Sequence, residues 1–171
     1  MFRIFLQETF VVVDADLYLP CTSDISSYFN IPSGMQGKIT YDNNGMTISG
    51  LSSYQQMVLN TTYSTPKTVE FEVVSHSGSS PDITIGKIDS TWIYMEVNTN
   101  GTQVEFVGTK YTVGSTNVGK YKLEADMSEV RLYRENTLIH TYTGALNTIA
   151  LYVGTSTNRS STIKDIIIKA L

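Results

Sequence analysis

The chain has 171 residues, enough for one domain with one sizeable core, and its charged fraction of 16% is well under the ~25% usual in soluble proteins. Ser, Thr, Asn, Gly and Tyr fill the gap, so the polar surface is largely hydroxyl and amide, as in many extracellular and virion β proteins. A net charge of −4 has nothing to grip a phosphate backbone, which excludes nucleic acid, and the lone Cys21 excludes an internal disulfide and a cysteine metal cluster.

Residues 1–9 read as an N-terminal arm. Phe2, Ile4, Phe5 and Leu6 are too apolar for a free tail, so the arm is expected to pack, either as an edge strand of this domain or as a docking segment for another subunit. It does not read as a secretory signal: Arg3 is its one cation, Gln7 and Glu8 interrupt the apolar run, and Asp14 and Asp16 follow closely. No run approaches the ~18 residues of a membrane span, so membrane insertion is not expected. An extracellular-looking surface without an export signal suits a virion component, which cell lysis releases.

Residues 10–171 read as a single domain. A strand is expected at 10–13, followed by turn chemistry to Pro32, with Tyr28 and Phe29 tucked against the core. Strands at 38–41 and 46–49 flank Asp42-Asn43-Asn44-Gly45, where Asn-Gly is a strong hairpin cue. Residues 55–59 alternate weakly. Residues 67–74 alternate well, with Val69, Phe71 and Val73 on one face and Glu70 and Glu72 on the other. Residues 75–82 (SHSGSSPD) read as a flexible loop with His76 solvated.

Strands at 83–88 and 92–97 come next, and Asn98-Thr99-Asn100-Gly101 turns the chain into 103–107. After a short strand at 111–113, residues 120–124 lead to the hairpin 130–134/137–142, which only Glu135 and Asn136 connect. A two-residue loop sets Leu132 against Ile139 and Val130 against Thr141, with Tyr133/Leu138 and Arg131/His140 on the other side. Residues 148–153 and 163–168 close the chain around a polar loop at 154–161. About a dozen short strands, Gly/Asn/Ser turns and no helical period predict an all-β, two-sheet antiparallel sandwich.

The order of these strands resembles a known superfamily. Residues 22–50 (TSDISSYFNIPSGMQGKITYDNNGMTISG) resemble the entry strands of concanavalin A-like jelly rolls. The series Tyr121-Lys122-Leu123-Glu124, Val130-Arg131-Leu132-Tyr133, Asn136-Thr137-Leu138, 149–153 and Ile163-Lys164-Asp165-Ile166 looks like the laminin G-like and lectin-like ending. The resemblance implies a jelly-roll sandwich and a sugar- or surface-recognition module. That superfamily holds carbohydrate-binding modules, adhesins, phage tail and head-fibre domains, and glycosidases.

Glu124, Asp126 and Glu129 spell E-x-D-x-x-E, which looks like the signature of laminarinase-like glycoside hydrolases. That chemistry needs the carboxyls in one cleft, whereas residues 125–128 read more readily as a turn with its acids in water. The chain is also short for that family, so no enzymatic activity is expected. Sugar binding without catalysis would use strand aromatics and loop amides: Trp92, Tyr94, Tyr54, Tyr133 and Tyr142, with Asn43, Asn98, Asn100 and Asn158. Against this, Trp92 is expected in the core, and most Tyr rings are expected to be packed.

His76 and His140 stand apart, with His140 expected on an exposed strand face beside Arg131, and no zinc site is expected. Calcium stays open as a cofactor through Asp42, Asn43, Asn44, Asp82, Asp89 or Asp165, among which no spacing selects a set. Three Asn-x-Ser/Thr matches, at Asn60, Asn100 and Asn158, read as chance in an Asn/Thr-rich chain. The expectation is therefore a non-enzymatic virion-surface module of tail, fibre or capsid. It would bind glycans and partner with other virion subunits, as a homo-oligomer. A cellular carbohydrate-binding or adhesin domain is the alternative, and a glycosidase through Glu124 and Glu129 the third.

Overall fold

The computed structural model describes residues 15–171. The arm expected at 1–9 and the strand expected at 10–13 lie outside the described residues. In chain order the strands are β1 (Leu17–Leu19), β2 (Phe29–Asn30), β3 (Ile39–Asp42), β4 (Gly45–Ser49), β5 (Gln55–Leu59), β6 (Tyr63–Ser64), β7 (Lys67–Ser77), β8 (Asp82–Ile88), β9 (Thr91–Val97), β10 (Gln103–Phe106), β11 (Thr109–Thr112), β12 (Gly119–Ala125), β13 (Glu129–Arg134), β14 (Thr137–Thr143), β15 (Thr148–Ile149), β16 (Tyr152–Thr155) and β17 (Ser160–Ala170).

They form two large antiparallel sheets and a short ribbon of β6 with β15. The eight-stranded sheet runs β14-β13-β12-β7-β17-β4-β3, with β1 paired to the end of β17. The seven-stranded sheet runs β11-β10-β9-β8-β16-β5-β2. The expected two-sheet sandwich is the fold.

Period-two alternation builds the core between the sheets. Val69, Phe71 and Val73 of β7 and Tyr121, Leu123 and Ala125 of β12 point inward from one sheet. Ile93, Met95 and Val97 of β9, with Val104 and Phe106 of β10, point inward from the other. All of them are buried, and Phe71 stacks on Tyr121.

The β13–β14 hairpin turns as expected: Glu135 (φ 46°) and Asn136 (φ 64°) are both left-handed, as a type I′ turn requires. Its register departs from the expectation two residues on. Tyr133 faces Leu138, but a bulge then sets Leu132 opposite His140, Arg131 opposite Thr141 and Val130 opposite Tyr142. The extra residue turns His140 inward, where its ring stacks on Tyr111 and meets the edge of Phe106, so His140 does not lie exposed beside Arg131.

Other expectations are corrected by longer pairing. β7 continues through His76 because β17 supplies a partner as far as Ser160↔Ser77. His76 then bridges, with Nε2 2.8 Å from Asn117 Oδ1 and Nδ1 2.9 Å from the Gly78 carbonyl, so it is not a solvated loop residue. The strand expected at 148–153 is two short ones, since β15 pairs β6 and β16 joins the seven-stranded sheet. In the first hairpin the loop is Asn43-Asn44, and Gly45 opens β4 directly opposite Asp42. Gly45 is needed there for packing as well as for its φ of 127°, because a Cβ would run into the Ile163 carbonyl of β17.

Leu123 is fully buried at the centre of β12, between Leu132 and Val69 on the neighbouring strands. Leu123→Ala is expected to cost about 2–5 kcal/mol in chemical denaturation, with an unchanged denaturant slope.

Candidate functional site

The alternation that fills the core sends every second side chain of the seven-stranded sheet to its outer face. On β9 these are Trp92, Tyr94 and Glu96; on β8, Asp82, Thr84 and, beyond a bulge, Lys87; on β10, Gln103 and Glu105. Register then places them in rows. Asp82 pairs with Glu96, and Glu96 with Glu105, so three carboxylates stand side by side on three adjacent strands. Gln56 and Gly154 extend the row on one side and Lys110 on the other. The next row holds Tyr152, Thr84 and Tyr94, and the one beyond it Lys87 and Trp92.

Asp82 is held by three neutral donors. Tyr54 Oη donates to Oδ2 at 3.0 Å; Thr84 Oγ1 at 3.1 Å and Gln56 Nε2 at 3.3 Å donate to Oδ1. Gln56 reaches Asp82 by lying across β16 at Gly154, where a Cβ would occupy the place of the Gln56 side chain. Glu105 is held at one oxygen, Oε1, by Tyr94 Oη at 2.6 Å. Glu96 stands between them.

The electrostatics follow from burial and like charge. Burial pushes the Asp82 carboxyl above its usual range, and the three hydrogen bonds only partly offset this. Burial raises Glu96 too, and the flanking Asp82 and Glu105 charges push the same way. Burial, then the adjoining carboxylates, raises the phenols of Tyr54 and Tyr94, which keeps both as donors. Among the described residues, none of the three acids lies in a salt bridge.

The residues proposed from sequence divide between the faces. Trp92, Tyr94 and Tyr54 share the outer face of the seven-stranded sheet. Trp92 is 43% exposed, not in the core as expected, because it lies one residue out of phase with Ile93. Tyr133 lies on the opposite side of the molecule, under the Lys122 ammonium at 4.2 Å. Tyr142 packs against the core. Asn98 is buried, and its carbonyl accepts from Asn117. The Asn100 amide is used within its own turn, accepting from the Thr102 and Gln103 N–H groups. Asn43 and Asn158 are exposed in separate loops.

Glu124, Asp126 and Glu129 stand on the outer face of the eight-stranded sheet, all three within 3.3 Å of the Arg131 guanidinium, and Glu124 is 2.7 Å from Lys122. Burial opposes ionisation of Glu124, but hydrogen bonds from Lys122 and Tyr133 outweigh it and lower its pKa. Hydrogen bonds from Ser128 lower Asp126. A carboxylate clamped in its ionised form is a poor proton donor, so E-x-D-x-x-E is an ion-pair cluster here.

The oxygen donors considered for calcium are dispersed. Asp42 caps its own turn through the Asn44 N–H, Asp82 belongs to the row, and Asp165 accepts from Tyr18 at a bulge of β17. No group of three or more His, Cys, Asp or Glu among the described residues could hold a metal.

Sequence reading missed Glu96, Glu105, Gln56 and Tyr152, and took Asp82 only as a cation ligand. The signal was present in the single phase of Trp92, Tyr94 and Glu96. Carrying the hairpin pairing across 83–88, 92–97 and 103–107 would have aligned the acids.

No protein-family model and no curated protein matches the chain. Among solved structures it is similar to the Crh5 transglycosylase in complex with NAG (TM-score 0.72, 13% identity, 90% of this chain and 83% of that one). It is also similar to the endo-β-1,3-glucanase of Pyrococcus furiosus (0.70, 9%, 90% and 93%) and to the carbohydrate-binding module CBM66 of Bacillus subtilis (0.64, 11%, 84% and 96%). At these identities the likeness establishes the concanavalin A-like fold. The expectation of no enzymatic activity is corrected: two of these structures are enzymes by name, and the glucanase is matched over 93% of its own length, so the shortness of the chain does not count against one.

Glu96 holds its proton more tightly in the folded state than in the unfolded chain. Folding stability therefore falls as pH rises from the ordinary carboxyl range through the raised value. Glu96→Gln is expected to raise the thermal midpoint near pH 7, with the gain shrinking as pH falls and vanishing at about pH 3, where both states are protonated. Calorimetry at the two pH values checks this.

Proposed function

We propose that the outer face of the seven-stranded sheet is a carbohydrate-active site for a β-linked glycan. The observation that carries this reading is the row Asp82–Glu96–Glu105, with two of its carboxyls biased toward the protonated form, beside exposed aromatic rings. A carboxyl held back from ionising is suited to give a proton to a glycosidic oxygen. Aromatic faces suit the C–H face of a pyranose.

Spacing selects the chemistry. Neighbouring strands are ~4.8 Å apart, close to the ~5–5.5 Å between carboxyls in retaining glycosidases and short of the ~6.5–9.5 Å of inverting ones. Glu96, whose carboxyl is pushed up by burial and then by the neighbouring Asp82 and Glu105, is assigned as the general acid at the glycosidic oxygen. Glu105 keeps one oxygen outside its bond to Tyr94 and is assigned as the nucleophile. Asp82, with both oxygens engaged by Tyr54, Gln56 and Thr84, is assigned as a positioning residue beside Glu96. The likeness of the fold to a transglycosylase and a glucanase supports the same reading.

A β-glucan oligosaccharide assay tests it. Reducing-sugar release or glycosyl transfer with retained anomeric configuration is expected, reduced at least about 100-fold in Glu96→Gln, while Glu124→Gln leaves it unchanged. Inverted product, or activity indifferent to Glu96, would count against the assignment.

A second reading concerns the setting. The hydroxyl- and amide-rich, weakly charged surface favours a virion surface, in a homo-oligomer with other virion subunits, where the site would meet cell-surface glycans. Light scattering of the purified chain tests this, since a strict monomer would oppose it.

A further inference from the structure

The row of acids occupies one end of the outer face. The other end is built differently. Lys87 and Trp92 are direct cross-strand partners, and Lys87 Nζ stands 4.0 Å from the centroid of the Trp92 ring. Tyr152 of β16 meets the same indole edge to face, with centroids 5.5 Å apart. Trp92 is 43% exposed and Lys87 is exposed. An indole on a sheet face, steadied by one ring and topped by an ammonium, is more than an uncovered hydrophobe.

Charge decides what this end would take. Lys87 is in no salt bridge among the described residues. The turn acid Asp89 is two residues away but not within ion-pair distance. Trp92 and Glu96 are four residues apart on one strand, ~13 Å at ~3.3 Å per residue, beyond the ~8 Å over which salt screens exposed charges. The carboxylates therefore do not neutralise Lys87, and the face has a negative end and a positive end. A sugar ring stacking on Trp92 would displace the ammonium from the indole face, and an anionic substituent on that ring would give it a stronger, charge-assisted partner.

We propose that Lys87, Trp92 and Tyr152 form a sugar subsite remote from the carboxylate row, which takes a ring bearing an anionic group, a carboxylate or a sulfate. This rests on the carbohydrate reading of the same face. It makes Lys87 a specificity-determining residue and has the glycan run along β9, spanning more than one ring between Trp92 and Glu96.

Titration calorimetry with three β-linked glucose oligomers of equal length tests it: one neutral, one oxidised at C6 to the uronate, and one sulfated at C6. The wild-type chain is expected to bind at least one anionic oligomer about tenfold tighter than the neutral one, and the two anionic arms tell carboxylate from sulfate. Lys87→Met should bring all three within about twofold, and Lys87→Arg should keep the preference. Trp92→Ala should weaken every oligomer that spans both ends, but not a single sugar long enough to reach only the acids. Lys87 and Trp92 are exposed, so a thermal midpoint close to wild type is expected for each variant. Neutral binding with no anionic preference, or a preference that survives Lys87→Met, would overturn the subsite and leave the carbohydrate surface standing. Absence of binding to all three would overturn both.

Discussion

Cross-strand register is the constraint on which the molecule depends. A strand in a sandwich has a period of two, so a slip of one residue exchanges core and surface along its whole length. With β9 in register, Ile93, Met95 and Val97 fill the interior, and Trp92, Tyr94 and Glu96 necessarily come to the outside. The pairings that bury the core therefore also align Asp82, Glu96 and Glu105. No separate device is needed to assemble the row, and burial of the inner residues keeps it in place.

The supports around the row are local and specific. Asp82 is fixed by donors from three positions, Tyr54, Gln56 and Thr84, on two different strands and the loop before one of them. Gln56 reaches across only because Gly154 has no side chain, a position whose backbone is not in the left-handed region. This glycine is there for close approach and not for turning the chain. Tyr94 steadies Glu105 from the neighbouring strand β9. Glu96, at the centre, is shaped first by burial and then by its neighbours' charge, which a hydrogen bond from Ser79 only partly offsets.

Much of this architecture was legible in the sequence. The alternation of 67–74, the Asn-rich turns and the two-residue loop at Glu135-Asn136 name strands and hairpins by local chemistry, and these are the parts that agree. What escaped depends on partners far along the chain. The β14 bulge that turns His140 inward and the extension of β7 through His76 are set by Tyr111 and by β17, not by neighbouring residues. The acids of the site are 82, 96 and 105 in number, separated by hairpins, so no contiguous motif marks them. The contiguous motif that was visible, E-x-D-x-x-E, is held by Arg131 on the other sheet.

That contrast between the two outer faces carries the functional argument. On the eight-stranded sheet, acids and bases alternate across the strands: Arg131 opposite Glu124, Lys122 opposite Glu70, Lys120 opposite Glu72, and Glu72 opposite Lys164. Opposite charges facing each other across strands are mildly stabilising, and like charges are destabilising. The seven-stranded sheet breaks this rule at Asp82, Glu96 and Glu105, where like charges face each other under partial burial. The same chain thus applies the stabilising pattern on one face and departs from it on the other. Such a departure costs stability, and perturbed carboxyls gathered on one surface are the usual mark of a site that needs them. Trp92, on the same face, is 43% exposed, a second feature of this sheet that is costly in water.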